Sequence, residues 1–215
     1  MSVNRTISVL AVTLALVAGP VGASAAGKSG IKGPAASSIA EQTLSAVEVD
    51  NLMYMREEEK LARDVYLTMF DAWGLAVFDN IAASEQTHTD SVKDMIEKYR
   101  LADPVVDDSI GVFVNQELAT LYAKLIARGT QSSLEALHVG AYIEEVDMVD
   151  LARAIEATDN ADIRQLYENL MTGSRNHLRA YVGQIEDLGV VYEAQYLSQE
   201  EVDAIVDSPV ERGRR

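Results

Sequence analysis

From about Thr43 onward, apolar residues recur every three or four positions, the period of a helix with one buried face. The period of two that marks a half-exposed strand does not occur there. A first stripe, Leu52, Met55, Ala62, Val65/Tyr66, Met69 and Trp73, predicts a helix from about Leu44 to Trp73, stopped by Gly74. A second, Ile81, Ala82, Val92, Met95, Ile96 and Tyr99, predicts a helix from about Val77 to Leu101, with Pro104 closing the region. Turn signals follow at Asp103-Pro104, Asp107-Asp108-Ser109 and Gly111. Behind them a short helix is expected from Asn115 to Ala127, stopped by Gly129. Ser132-x-x-Glu135 reads as a capping box opening a third long helix, to about Ala157. Asp159 is expected to cap a fourth, which runs to about Leu188 and is followed by Gly189. Ser198-x-x-Glu201 opens one further short helix, and Arg212-Gly213-Arg214-Arg215 reads as a solvated tail.

Loop lengths turn these elements into a topology. Tight connections join the first long helix to the second and the third to the fourth, whereas about 30 residues separate the two hairpins. Short, long, short is the pattern of an all-α fold: an antiparallel four-helix bundle with one long crossover between helices 2 and 3. The expected bundle spans 43–188, and 189–215 form a C-terminal extension with one short helix.

The start of the chain reads differently. Arg5, the uncharged run Ile7–Ala18 and the small-x-small triplet Ala23-Ser24-Ala25 have the form of a signal peptide over 1–25, with Ala26 beginning the mature chain. The alternative, a membrane anchor, needs roughly 20 apolar residues, and this run has 12. Residues 26–42 read as a flexible linker rich in Gly, Ser, Ala, Lys and Pro. The chain is therefore expected to be exported, to the periplasm, the cell wall or the medium.

Charge and composition narrow the function classes. With 34 acidic and 18 basic residues among 215, the net charge is −16, and losing the leader removes only Arg5. So acidic a chain is not expected to bind nucleic acid or, once the leader is removed, a membrane. The absence of cysteine excludes disulfides, thiolate metal sites and cysteine nucleophiles. Histidine chemistry is limited to His88, His138 and His177.

The informative residues are polar ones that fall on the apolar stripes. Glu59 lies between Met55 and Ala62, and Glu85 lies three residues after Ala82 with His88 three further on. Glu144 follows Ala141, and His177 sits among Leu170, Ser174 and Tyr181. A buried carboxylate without a partner is costly, so four helices that each place such a group at similar depth suggest a shared cation. Residues three apart on a helix are neighbours, so Glu85 and His88 can meet one ion. Carboxylate with imidazole suits iron, manganese or zinc. Against this, Glu57, Glu58 and Glu59 form a run, as do Glu144 and Glu145, and such runs commonly lie on solvated faces. His138 has no matching acid and reads as a packing or surface residue.

On these residues the chain resembles the ferritin-like superfamily of rubrerythrin and bacterioferritin. That resemblance implies Glu on the first helix, Glu-x-x-His on the second, Glu on the third and Glu-x-x-His on the fourth, which match Glu59, Glu85/His88, Glu144 and His177. More narrowly, EEEKLARDVY, SEQTH, GAYIEEVDMVDL and GSRNHLRAY resemble the family called domain of unknown function 2202, over about 45–205. One departure stands out. Ser174 occupies the position, three before His177, where the superfamily places a bridging glutamate. Glu85 would then be the sole protein bridge, with Glu59 and His88 toward one metal and Glu144 and His177 toward the other. Asp147 and Glu145 are candidate substitutes that lie on a different helix. The resemblance implies iron or manganese, one or two ions, and oxygen or peroxide chemistry, with Tyr66 and Tyr181 near the site. Three readings stay open: a di-metal oxidoreductase, a metal-binding module without turnover, and a metal-free scaffold acting through partners. Metal ions are the expected partners, with a homodimer admitted.

Overall fold

The computed structural model describes residues 43–212. The expected leader (1–25) and linker (26–42) lie outside the described residues, as do 213–215. The described residues are all-α: α1 (Ala46–Trp73), α2 (Ala76–Lys98), α3 (Gln116–Gly129), α4 (Ser133–Ala157), α5 (Ala161–Asp187) and α6 (Gln199–Val206). Helix α1 opens on a full capping box, in which the Ser45 hydroxyl accepts from the Glu48 N–H and Glu48 accepts from the Ser45 N–H. It closes on Gly74 at φ 65°, a conformation that suits glycine.

The ends differ from expectation where a cap intervenes. Because Ser45 caps α1, the helix begins at Ala46 rather than Leu44. Helix α2 stops at Lys98, three residues before Leu101, because Arg100 turns the chain at φ 57° and the Leu101 N–H folds back to Ile96 O. Asn115 is not the first residue of α3 but its cap, accepting from the N–H groups of Glu117 and Leu118, and Gly129 is the helix's last residue rather than its stop. The capping box of α4 is one-sided, since Ser132 accepts from the Glu135 N–H while the Glu135 carboxylate turns to Arg128 at 2.8 Å. Asn160, not Asp159, takes the cap position of α5. Its amide donates to Glu48 Oε1 (2.6 Å), as does the Thr158 hydroxyl (2.6 Å), so Glu48 ties the start of α1 to the α4–α5 corner.

The four long helices close a ring: α1 packs on α2 and α4, and α5 packs on α4 and α2. Helix α3 lies on α1 and α4, and α6 lies on α5. No helix among the described residues is long and apolar enough to cross a membrane. The apolar core comes in two clusters. One, toward the C-terminal part of α1, gathers Leu61, Tyr66, Phe78, Ile81, Leu178 and Tyr181. The other, toward its start, gathers Leu52, Met55, Val92, Leu151, Ile163 and Leu170. Along each long helix the residues between the clusters are polar and buried: Glu59 on α1, Glu85 and Thr89 on α2, Glu144 and Asp147 on α4, Ser174 and His177 on α5.

Three glutamates expected on solvated faces are buried instead. Glu57 accepts from the backbone N–H groups of Val114 and Asn115 (2.6 and 3.0 Å), fixing the end of the crossover. Glu58 faces Tyr54 on its own helix, 3.4 Å away, with Asp150 of α4 nearby. Glu145 accepts from the N–H groups of Gln195, Tyr196 and Leu197 and from the Tyr192 hydroxyl, so it anchors the C-terminal extension. A glutamate run looks solvated in sequence because its partners here lie about 50 residues or more away. His138 is half-buried and stacks on Tyr192, with ring centroids 5.7 Å apart, as a packing residue does.

Candidate metal centre

The polar layer brings together all five of the expected residues. Glu59, Glu85 and His88 each offer one ligand atom within 4.8 Å of the others, and so do Glu85, Glu144 and His177. Glu85 belongs to both groups, because α2 sends its carboxylate between the two imidazoles. Oε2 lies 2.7 Å from His88 Nδ1, and Oε1 lies 2.7 Å from His177 Nδ1. Glu59 Oε2 is 3.3 Å from His88 Nδ1, and Glu144 Oε2 is 3.5 Å from His177 Nδ1. The imidazole rings face one another with centroids 5.4 Å apart.

These contacts are close without being saturated. Glu59 Oε1, Glu85 Oε2 and His177 Nδ1 are buried and have no aligned hydrogen-bond partner. Glu85 Oε2 and His177 Nδ1 therefore sit at contact distance from opposite partners without hydrogen-bond alignment. Buried polar atoms are almost always satisfied. Converging, unsatisfied carboxylate and imidazole atoms in two groups that share a carboxylate are the donor set a pair of divalent transition ions takes, so the residues fit such ions.

Neighbours hold these groups in place. Tyr66 donates its phenol hydrogen to Glu144 Oε1 at 2.5 Å, and Tyr181 packs on Tyr66 with ring centroids 5.3 Å apart. His177 Nε2 shares a hydrogen bond with the Ser84 hydroxyl (2.9 Å), which turns Nδ1 toward Glu85. Two glycines make room. A Cβ on Gly173 would lie 2.4 Å from His88 Cε1, and one on Gly140 would lie 2.6 Å from the Tyr181 ring. Ser84, Gly140 and Gly173 were not among the expected residues. For the glycines, the signal was two glycines inside strongly helical segments, where glycine weakens the helix and so marks a close approach.

The electrostatics follow from burial and mutual contact. Burial pushes Glu59 up to about 7 against the opposing pull of His88, and burial raises Glu144. Burial alone would also raise Glu85, but the flanking imidazoles, His88 and then His177, hold it well below the usual carboxylate range. Burial acts to lower both imidazoles. Glu85 and Glu59 override it at His88, and Glu85 and Glu144 hold His177 up to about 10. Burial and then Glu144 raise the Tyr66 phenol far above its ordinary value, so it stays a hydrogen-bond donor. No lysine or arginine is ion-paired to Glu59, Glu85 or Glu144 among the described residues.

The family model described as "Uncharacterized protein domain (DUF2202)" matches residues 48–209. The chain belongs to this family. It is 53% identical over 177 residues to the uncharacterized protein MJ0754 of Methanocaldococcus jannaschii, covering 82% of this chain and 96% of that one. The crystal structure of hypothetical protein MJ0754 from Methanococcus jannaschii superposes with a TM-score of 0.77 over 79% of this chain and 97% of that one.

Proposed function

We propose that this chain is an exported ferritin-like four-helix protein that binds two iron or manganese ions between α1, α2, α4 and α5. In this reading Glu59 and His88 hold one ion, Glu144 and His177 hold the other, and Glu85 is shared. The observation that carries it is the pair of ligand groups joined at Glu85, with buried polar atoms left without a hydrogen-bond partner. Export rests on the leader pattern of residues 1–25.

When bound, iron or manganese supplies one-electron chemistry toward oxygen or peroxide. The chain's own contribution is positioning. Ser84 orients His177, Tyr66 fixes Glu144, and the apolar clusters above and below exclude water. An ion held there would compete with the protons that the neighbouring carboxylates favour on the two imidazoles.

Elemental analysis of protein prepared without chelators and then loaded with Mn(II) tests the reading. Stoichiometric metal is expected, lost in Glu85→Ala. Saturation at about 100 times the dissociation constant is expected to stabilise the fold by about 2.7 kcal/mol. Oxygen or peroxide consumption on adding Fe(II), abolished by the same substitution, separates turnover from simple storage. No stoichiometric ion after loading, with melting indifferent to metal, favours the scaffold reading instead.

A further inference from the structure

The centre holds one more carboxylate, which neither ligand group includes. Asp147 lies one turn after Glu144 on α4, is 6% exposed, and has no partner for its Oδ1. Its Oδ2 is 2.5 Å from the hydroxyl of Ser174. Ser174 is the α5 position where the ferritin-like pattern has its second shared glutamate, so the side chain that departs from the pattern touches a carboxylate from the helix beside it. The glutamates acting most strongly on Asp147 are Glu59, Glu58 and Glu144. Glu59 and Glu144 come one from each ligand group, so Asp147 stands within electrostatic reach of both.

Charge balance points the same way. Glu59, Glu85 and Glu144 supply three negative charges, whereas two divalent ions need four in a buried setting to avoid an uncompensated charge. Residue 174 cannot supply the fourth, because its side chain is a short neutral hydroxyl. We infer that Asp147 is the second shared carboxylate of the two-ion centre, moved from α5 to α4, and that Ser174 positions it by hydrogen bonding. The inference rests on the two-ion reading above. Asp147 lies outside both 4.8 Å groups, so in this inference its side chain would turn toward the ions on binding.

The hydrogen bonding around Ser174 leaves room for that step. Its single hydroxyl hydrogen lies within reach of two acceptors, Asp147 Oδ2 at 2.5 Å and Leu170 O at 3.0 Å. With Asp147 neutral, the acid donates to Ser174 and the serine hydrogen goes to Leu170. With Asp147 ionised on a metal, the serine hydrogen turns to the carboxylate. A serine here can therefore serve both states, which an alanine cannot.

The test is Mn(II) titration followed by elemental analysis, with ion-free melting as the structural control. Wild type is expected to take two ions per chain. Asp147→Asn is expected to keep its ion-free melting temperature and weaken the second ion at least tenfold. Ser174→Ala leaves the carboxylate but frees it, and a smaller weakening of the same ion is expected. The relocated pair Asp147→Ser with Ser174→Glu is expected to restore two ions. Two tightly held ions in Asp147→Asn would overturn the assignment, as would failure of the relocated pair to recover the second ion. If Asp147→Asn does not fold, Ser174→Ala decides alone, and unchanged affinity there overturns it. Failure of the underlying reading appears elsewhere, as no ion bound by wild type.

Discussion

Two faces of the same helix bury charge in opposite ways. On one face of α1, Arg56, Lys60 and Arg63 follow one another at helical spacing beneath the crossover between α2 and α3, and every cation has an acid. Arg56 meets Asp103 at 3.1 Å, Lys60 meets Asp64 at 2.5 Å, and Arg63 reaches both Asp64 and Asp108. Lys60 also donates to Ser109 O and sits over the Phe113 ring. The Gly111 N–H completes Asp64. On the other face, Glu59 enters a layer with Glu85, Glu144 and Asp147 in which, among the described residues, the only cationic partners are two imidazoles. The first arrangement is closed, with its charges neutralised by the chain itself, and it fastens the crossover. The second is open, with an excess of acid and buried atoms that have no hydrogen-bond partner. Burial alone does not distinguish the two faces; what distinguishes them is whether lysine, arginine and backbone N–H groups of the chain satisfy the buried acid.

The largest effect is expected where the closed face is broken. Asp64→Ala strands Lys60, which is fully buried, leaving Ser109 O and the Phe113 ring as direct contacts and the acids of the crossover farther off. Removing one partner of a buried pair costs about 3–5 kcal/mol. Urea denaturation of ion-free protein measures it. A loss below about 1 kcal/mol would mean that Lys60 escapes to solvent and that the two faces are not different in kind.

The open face is expected to answer with the opposite sign. Glu59→Gln removes a buried acid that lacks a lysine or arginine, so ion-free protein should be unchanged or up to about 1 kcal/mol more stable. Metal-loaded protein should lose most of its ion-dependent gain, about 2–3 kcal/mol at saturating Mn(II). Paired thermal melts with and without chelator read both. Equal destabilisation in the two conditions would place Glu59 with the structural charges.

How much of this was legible in the sequence differs between the same two faces. Glu59, Glu85, His88, Glu144 and His177 could be read because each interrupts an apolar stripe, and a stripe is a local pattern. The helices and the long crossover were legible for the same reason, Gly74 included. The closed face was not. Lys60 and Asp64 look like an ordinary exposed i,i+4 pair, and only the crossover folding over them makes them buried. Glu57, Glu58 and Glu59 are consecutive, so they point roughly 100° apart around the helix. They meet the crossover, α4 and α2 respectively, and a single solvated face cannot describe them. The same holds for Glu145, whose partners belong to the extension.

A smaller effect is expected from Gly173→Ala, which tests the open face without touching a charge. The added Cβ meets the His88 ring at 2.4–2.5 Å, and that ring is partly exposed, so it can swing outward. The stability cost should stay near the low end of overpacking, about 1 kcal/mol, while the ion of the Glu59–His88 group is lost. Mn(II) stoichiometry falling with little change in ion-free melting is the expected signature. Retention of both ions would mean that the backbone yields and His88 stays in place.

The smallest effect concerns a third kind of charge, paired but wet. Near the C-terminus Glu211 accepts from Arg175 (2.7 and 2.5 Å) and from Arg179 (2.9 Å), and about a third of its side chain is exposed. Hydrogen bonds from Arg175, opposed by burial and reinforced by Arg179, lower its carboxyl from 4.5 to about 2. A folded-state value below the unfolded one means that the stabilisation is fully present above about pH 4.5 and is lost as pH falls toward 2. Solvent screening keeps it near 1 kcal/mol. Amide exchange at Glu211, whose N–H donates to Asn176 Oδ1, should therefore speed up over that interval and in Glu211→Gln. It should also speed up in 1 M salt, where the screening length falls to about 3 Å. The Lys60–Asp64 pair, out of reach of both water and ions, should not respond to salt. If both pairs respond alike, the crossover does not shield the closed face, and the contrast between the two sides of α1 reduces to one of geometry.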